Sequence, residues 1–210
     1  MLKVYSYPRS GTNFLLFAIY ENFYKNSKQI IFKYNKNFEN DLKNYVNFNE
    51  ERKLVNNAMS LFGNHYKYDN SVNTKNSVYI LRNPYDCLYS HYLLERSDLS
   101  WYVNIEKNIS YYDWLVNGNK ILEWKQHCDS FINKNIYTIK YEDLVGNYLS
   151  ELEKLKKNFN LNFCCNNIIK INKKVGWVTN KQYCNQEKLN SAVIDLFKKN
   201  LPERIHGYHV

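Results

Sequence analysis

Residues 2–23 read LKVYSYPRSGTNFLLFAIYENF and decide how the chain is expected to fold. Leu2 to Tyr7 is predicted to be a short strand, and Asn13 to about Lys25 is predicted to be a helix. This helix is apolar on nearly every side, so we expect it to be buried. The segment YPRSGT, residues 7–12, then connects a strand to a helix through a tight loop.

A loop of this kind is suited to binding an anion. It directs unpaired backbone N–H groups and the positive end of the helix dipole at whatever lies above it. Gly11 allows a close approach of the backbone, Ser10 and Thr12 add hydroxyl donors, and Arg9 adds a permanent charge. The alternative is an ordinary turn that carries an arginine at the surface. The loop alone does not decide between the two.

A second informative segment, SVYILRNPYDCLYS, spans residues 77–90. Ser77 to Leu81 is predicted to be an interior strand, and Pro84 suits the first turn of a following helix. Arg82 then lies at the carboxyl end of a strand, where open α/β sheets bind their ligands. Ser90 follows inside the helix. The plainer interpretation pairs Arg82 with a structural carboxylate and leaves Ser90 facing solvent.

The remaining pattern alternates strands with helices. Further strands are predicted at 29–34 and 135–141, and further helices at 110–132, 147–159 and 187–199. This alternation indicates an α/β fold, a three-layer sandwich with a central, mainly parallel sheet. The length of 210 residues suggests that 1–210 form a single domain.

Charge and composition exclude several classes of function. The net charge is +9, but the lysines are scattered, which argues against a nucleic-acid footprint. The six glycines fit neither G-x-G-x-x-G nor G-x-x-x-x-G-K-[ST], which disfavours a conventional dehydrogenase or ATPase. The five cysteines have no zinc-like spacing, so no metal is expected and the thiols are expected to be reduced. With no long apolar run and no signal peptide, the protein is expected to be soluble, cytoplasmic and independent of membranes.

Together the two segments resemble the sulfotransferases that use 3′-phosphoadenosine 5′-phosphosulfate (PAPS). The signatures of that family are a Y-P-[KR]-S-G-T loop and an R-[ND]-P-x-D-x-x-x-S segment. Residues 7–12 and 82–90 match both, in the expected order. YEDL at 141–144 and KKVGW at 173–177 resemble two further family elements, although the second lacks the usual arginine and first glycine. The resemblance implies a fold similar to that of P-loop nucleotide-binding proteins.

The resemblance also implies a role for particular residues. Arg9, Ser10, Gly11 and Thr12 would hold the 5′-phosphosulfate, while Arg82 and Ser90 would bind the 3′-phosphate. The other residues implied in donor binding are Asn13, Phe14, Tyr141, Lys173 and Lys174. Phe14 would stack on adenine, or else pack in the core. Lys173 and Lys174 would close over the 3′-phosphate. The second substrate would be a hydroxyl-bearing acceptor such as a glycan or a phenol.

The resemblance implies a histidine as general base, and His65 in GNHYK, residues 63–67, occupies the corresponding place. Arg9 would stabilise charge on the leaving group without donating a proton. Glu95 and Asp98 are held in reserve as carboxylate bases. Two other functions remain open at this point. One is a small-molecule kinase on the related P-loop fold, and the other is a non-catalytic protein that binds nucleotides or polyanions.

Overall fold

The computed structural model describes residues 1–25, 60–96, 108–171, 188 and 190–210. Within them, three parallel strands form the central sheet in the order β1-β2-β3. These strands are β1 (Lys3–Ser6), β2 (Ser77–Leu81) and β3 (Tyr137–Lys140). Val4 lies opposite Val78, which in turn lies opposite Tyr137. All three carboxyl ends therefore meet at one edge of the sheet.

Helices connect and cover these strands. They are α1 (Thr12–Ile19), α2 (Pro84–Arg96), α3 (Tyr111–Asn117), α4 (Lys120–Ile132), α5 (Tyr141–Gly146), α6 (Tyr148–Phe159) and α7 (Ser191–Asn200). A π-helical turn, Tyr20–Tyr24, extends α1, and a 3₁₀ turn, Thr74–Asn76, precedes β2. The chain ends in an antiparallel hairpin of β4 (Arg204–Ile205) and β5 (Tyr208–His209).

The sheet divides the core into two apolar layers. Successive side chains of a strand point to opposite faces, so β2 contributes to both layers. Val78 and Ile80 pack with α1 and α6, whereas Tyr79 and Leu81 pack with α2, α3 and α4. Every residue of β2 is buried. Apart from Ser77, this is the continuous apolar strand expected of a parallel sheet covered on both faces, and the predicted α/β sandwich is confirmed.

The predicted elements near the two motifs agree closely with the structure, and those farther away agree less well. The strand Ser77–Leu81 and the helix that begins at Pro84 are found as predicted. The predicted helix 110–132 is two helices, because Asn119 adopts a left-handed backbone with φ of 48°. The predicted strand 135–141 is shorter, since Tyr141 already begins α5. The terminal hairpin, which turns at Gly207 with φ of 79°, was not predicted.

Some predictions fall outside the described residues. They are the strand at 29–34, the reserve carboxylate Asp98, and Lys173 and Lys174. In the described ranges, no helix is both long and apolar enough to cross a bilayer. The same ranges contain no group of three or more His, Cys, Asp or Glu side chains that could hold a metal ion.

Candidate active site

The loop between β1 and α1 has an unusual backbone. The amide of Ser10 donates to the carbonyl oxygen of Tyr7 at 3.3 Å, which closes the turn. Arg9 has φ of 66° and Gly11 has φ of 95°, so both lie in the left-handed region. A non-glycine residue there is strained and persists only where other contacts hold it. At Arg9 those contacts come from the second motif, as described below.

Gly11 allows α5 to approach the loop closely. A Cβ atom at this position would overlap the ring of Tyr141, with Cε2 only 2.8 Å away. Glycine is therefore required here for its backbone conformation and for the space it leaves. Gly11 caps α1, whose first N–H groups lack acceptors within the helix. Tyr141, the first residue of the YEDL segment, thus packs directly on the loop.

The two arginines of the motifs meet at this loop. Nη1 of Arg82 donates to the carbonyl oxygen of Arg9 at 3.0 Å, and Nε of Arg9 donates to Oγ of Ser90 at 3.1 Å. The guanidinium of Arg82 also lies over the ring of Tyr141, 4.8 Å from its centroid. Nε of Arg82 is buried and has no hydrogen-bond partner among the described residues. A buried donor of this kind is suited to a ligand that supplies the missing acceptor.

Cys87 of α2 contacts the same loop from the protein core. The sequence did not identify this residue as part of the site. Its Sγ lies 3.4 Å from Oγ of Ser10 and 3.3 Å from the carbonyl oxygen of Pro8. Desolvation in the core raises the pKa of the Cys87 thiol to about 11, so the group remains protonated and donates to Pro8. In the sequence it is one more apolar position of α2, so no pattern distinguishes it.

His65 contacts Ser6, the last residue of β1, just before the loop. Its Nδ1 lies 2.8 Å from the carbonyl oxygen of Ser6 and 3.0 Å from Oγ of the same residue. The ring packs edge-on against Phe62, with centroids 4.8 Å apart. The residue as a whole is exposed to solvent. Desolvation by the surrounding protein nevertheless lowers the pKa of His65, which keeps the imidazole neutral near pH 7.

A second histidine, His127 of α4, supports the first. Its Nε2 donates to the carbonyl oxygen of His65 at 3.1 Å, and its Nδ1 lies 2.9 Å from the hydroxyl of Tyr79. Burial lowers the pKa of His127 to about 4, so it is neutral and can accept the Tyr79 proton. The sequence analysis did not assign His127 to any motif. His127 reaches the backbone of His65 because α4 packs on β2, and this tertiary contact has no signal in the sequence.

The turn after β2 is held by the YEDL segment and by the terminal hairpin. Oε1 of Glu142 accepts from the amide of Asn83 at 3.0 Å, and Oε2 of Glu142 accepts from the hydroxyl of Tyr208 at 2.6 Å. The side chain of Asn83 in turn accepts from the amide of Tyr85 in the first turn of α2. Tyr208 of the terminal hairpin is therefore linked through Glu142 to the backbone next to Arg82.

Two further predicted site residues, Phe14 and Asn13, lie in the first turn of α1. Phe14 is 5% exposed and packs edge-to-face against Tyr141 and Tyr148, which is the core position considered for it. Its role in adenine stacking stays a prediction. Asn13 is half-buried in the first turn of α1.

Glu95, the reserve base, is buried away from these contacts. It accepts from Nε1 of Trp114 at 2.5 Å, and it pairs with His91 at 3.1 Å. Burial disfavours its charge, but these bonds and the nearby Lys120 outweigh that cost and lower the pKa of Glu95. It is therefore a weaker base than an ordinary carboxylate.

The model of one protein family, described as the sulfotransferase domain, matches residues 2–203 of the chain. The chain belongs to the sulfotransferase family. The match includes both arginine segments, His65 and the YEDL segment, so this sulfotransferase contains the elements on which the resemblance was based. Neither the curated proteins nor the solved structures contain a significant match to it. The family identifies it as a transferase enzyme.

Proposed function

We propose that this sulfotransferase transfers the sulfuryl group of PAPS to a hydroxyl of a glycan, a phenol or another small acceptor. The observation that carries the proposal is the meeting of Arg9, Arg82 and Ser90 at a loop that also contacts Tyr141. PAPS carries two separated anionic groups, and these residues provide two cationic centres with hydroxyl donors beside them. We further propose that residues 1–210 act as one sulfotransferase domain.

The donor fits what the described residues offer. Nε of Arg82 is buried and has no partner in the part of the chain that the structure describes, and a 3′-phosphate oxygen would supply an acceptor. Ser90, 6% exposed, is within reach of Arg9 and would add a hydroxyl to the same phosphate. The N–H groups at the start of α1 and the hydroxyl of Thr12 would bind the 5′-phosphosulfate. We also include Asn13 and Tyr141 in this donor site. Lys173 and Lys174 are included only because the family resemblance implies them.

In the proposed reaction an acceptor oxygen attacks sulfur in line with the leaving group. The new S–O bond forms as the bond between sulfur and the 5′-phosphate oxygen breaks, and the acceptor proton moves to Nε2 of His65. Arg9 and the loop N–H groups would stabilise the negative charge that develops on the leaving phosphate oxygen. Arginine remains charged throughout, so the role of Arg9 is electrostatic. The reaction requires no metal ion.

The proposal is tested by calorimetric titration with adenosine 3′,5′-bisphosphate, followed by incubation with labelled PAPS and a panel of sugars, phenols, glycans and tyrosine peptides. Binding of the bisphosphate and label transfer to any acceptor support the proposal. Binding of ATP–Mg²⁺ in preference to the bisphosphate would indicate a small-molecule kinase instead. Bisphosphate binding without transfer to any acceptor would indicate a non-catalytic nucleotide-binding protein.

A further inference from the structure

Ser6 connects the histidine to the donor loop. It is the last residue of β1 and is fully buried. Its Oγ lies 2.7 Å from Oγ1 of Thr12 and 3.0 Å from Nδ1 of His65, and its carbonyl oxygen lies 2.8 Å from the same nitrogen. One residue therefore contacts the proposed base with two atoms and the proposed anion loop with one of them.

These contacts determine which nitrogen of His65 carries the proton. The carbonyl oxygen of Ser6 can only accept, so Nδ1 of the neutral imidazole must donate to it. The lone pair is then on Nε2, the nitrogen that must accept a proton in catalysis. Since the lowered pKa keeps the ring neutral near pH 7, this tautomer is the relevant form of His65.

The direction of the whole chain of hydrogen bonds follows. With Nδ1 protonated, Oγ of Ser6 cannot donate to it. Oγ instead accepts from Nδ1, as the second acceptor of a bifurcated hydrogen bond. The hydroxyl of Ser6 is thus left to donate to Oγ1 of Thr12. The hydroxyl of Thr12 is in turn free to donate to an acceptor other than Ser6. An anion in the loop would be such an acceptor. Hydrogen bonds aligned in this way polarise and strengthen one another.

We propose that Ser6 is a positioning residue that couples anion binding in the loop to the basicity of Nε2 of His65. An anion that accepts from Thr12 strengthens the Thr12–Ser6–His65 chain and draws the Nδ1 proton toward Ser6. The electron density left on the ring makes Nε2 a better base. The base therefore becomes most effective when the donor is bound. This inference rests on the proposed function, because it takes the donor to be the anion and His65 to be the base.

Nuclear magnetic resonance of ¹⁵N-histidine-labelled protein tests the coupling directly. The free protein should show the Nδ1–H tautomer of His65, and adenosine 3′,5′-bisphosphate should shift the His65 ring nitrogens. In Ser6→Ala the response should fall to a minor part of the wild-type shift, since only the direct field of the phosphates is left. An Nε2–H tautomer in the free protein, or an equal response in Ser6→Ala, overturns the inference.

Turnover provides an independent test. Ser6→Ala should lower kcat about tenfold, the loss expected when one hydrogen bond is removed from the transition state. It should change the bisphosphate Kd by less than about threefold. In the His65→Ala background it should cause no further loss of kcat, because a positioning residue acts only through the group it positions. A similar loss in both backgrounds would mean that Ser6 is merely structural, and it would overturn the inference.

A matched pair at Thr12 tests the other end of the chain. At saturating bisphosphate, Thr12→Ser keeps the hydroxyl and should keep most of the His65 response, whereas Thr12→Val keeps the shape and should reduce the response to the same minor part as Ser6→Ala. Equal responses in the two variants overturn the inference. Failure of the proposed function is recognised separately, since the wild-type protein would then bind no bisphosphate and transfer no label.

Discussion

Nη1 of Arg82 donates a 3.0 Å hydrogen bond to the carbonyl oxygen of Arg9, a residue 73 positions earlier in the chain. Arg9 has a left-handed backbone where it accepts this bond. The side chain of Arg9 is held by the hydrogen bond from its Nε to Oγ of Ser90. One arginine thus helps to determine where the other lies. A substitution at Arg82 should therefore affect both the charge at the site and the shape of the loop.

Arg82→Ala should weaken adenosine 3′,5′-bisphosphate binding at least about 30-fold, because a buried charge partner of a phosphate contributes about 2 kcal/mol or more. Arg82→Lys should recover only part of this affinity, since lysine lacks the forked donor set. Calorimetric titration measures both values. Arg204→Ala, which removes an exposed arginine from β4, is the matched control and should bind normally. Normal binding by Arg82→Ala would contradict the 3′-phosphate assignment.

His65→Ala should lower kcat by about 10²- to 10⁴-fold and change the bisphosphate Kd by less than about threefold, because a general base acts on the acceptor. The exposed His209→Ala serves as the control and should retain full activity. Steady-state assays and titration separate the two effects. A loss of nucleotide affinity equal to the loss of kcat would instead mean that His65 helps to bind the donor.

The pH profile should report the same histidine. Desolvation lowers the pKa of His65 below the ordinary value of 6.5, and the base must be deprotonated to act. In wild-type protein kcat/KM for PAPS, which reports the free enzyme, should therefore rise with pH along an acid limb whose midpoint lies below 6.5, and then level off. The residual activity of His65→Ala should lack this limb. Persistence of the limb in that variant would assign the base to another group.

Gly11→Ala should destabilise the protein by about 1–3 kcal/mol, because alanine is strained at this φ and its methyl group displaces the Tyr141 ring. Urea denaturation measures the loss. Gly146→Ala is the control, since an added Cβ there meets no atom of the described residues within 4 Å. That change should leave the free energy of unfolding within about 1 kcal/mol of wild type or raise it. Similar stabilities of the two variants would rule out the close approach of Tyr141.

His127 should make the stability of the protein sensitive to acid. Burial lowers its pKa from 6.5 to about 4, so the unfolded chain binds this proton more readily than the folded protein does. The free energy of unfolding should therefore fall as the pH falls from 6.5 toward 4, by up to about 3 kcal/mol from this group. His127→Gln, which does not titrate, should lose this part of the pH dependence. Urea denaturation at several pH values tests it, and an unchanged slope would contradict the buried neutral state.

Sequence reasoning was most successful where local patterns are strong. Residues 78–81 form a continuous apolar run, which is typical of a strand buried on both faces, and Pro84 marks the start of α2. It was less successful at Asn119, whose left-handed backbone depends on the turn between two packed helices. Tyr141 continues a strand-like pattern, yet it begins α5 because the chain turns there onto the loop at Gly11.

The sequence by itself determined the α/β class, the strand–loop–helix order around residues 7–12 and the family, because these depend on local order along the chain. Only the tertiary structure decided that Arg82 contacts Arg9, that Cys87 lies under the loop, and that Ser6 and His127 hold His65. Each of these relationships joins residues from different elements. They exist because parallel strands bring their carboxyl ends to one edge and the packed helices then fix which side chains meet there.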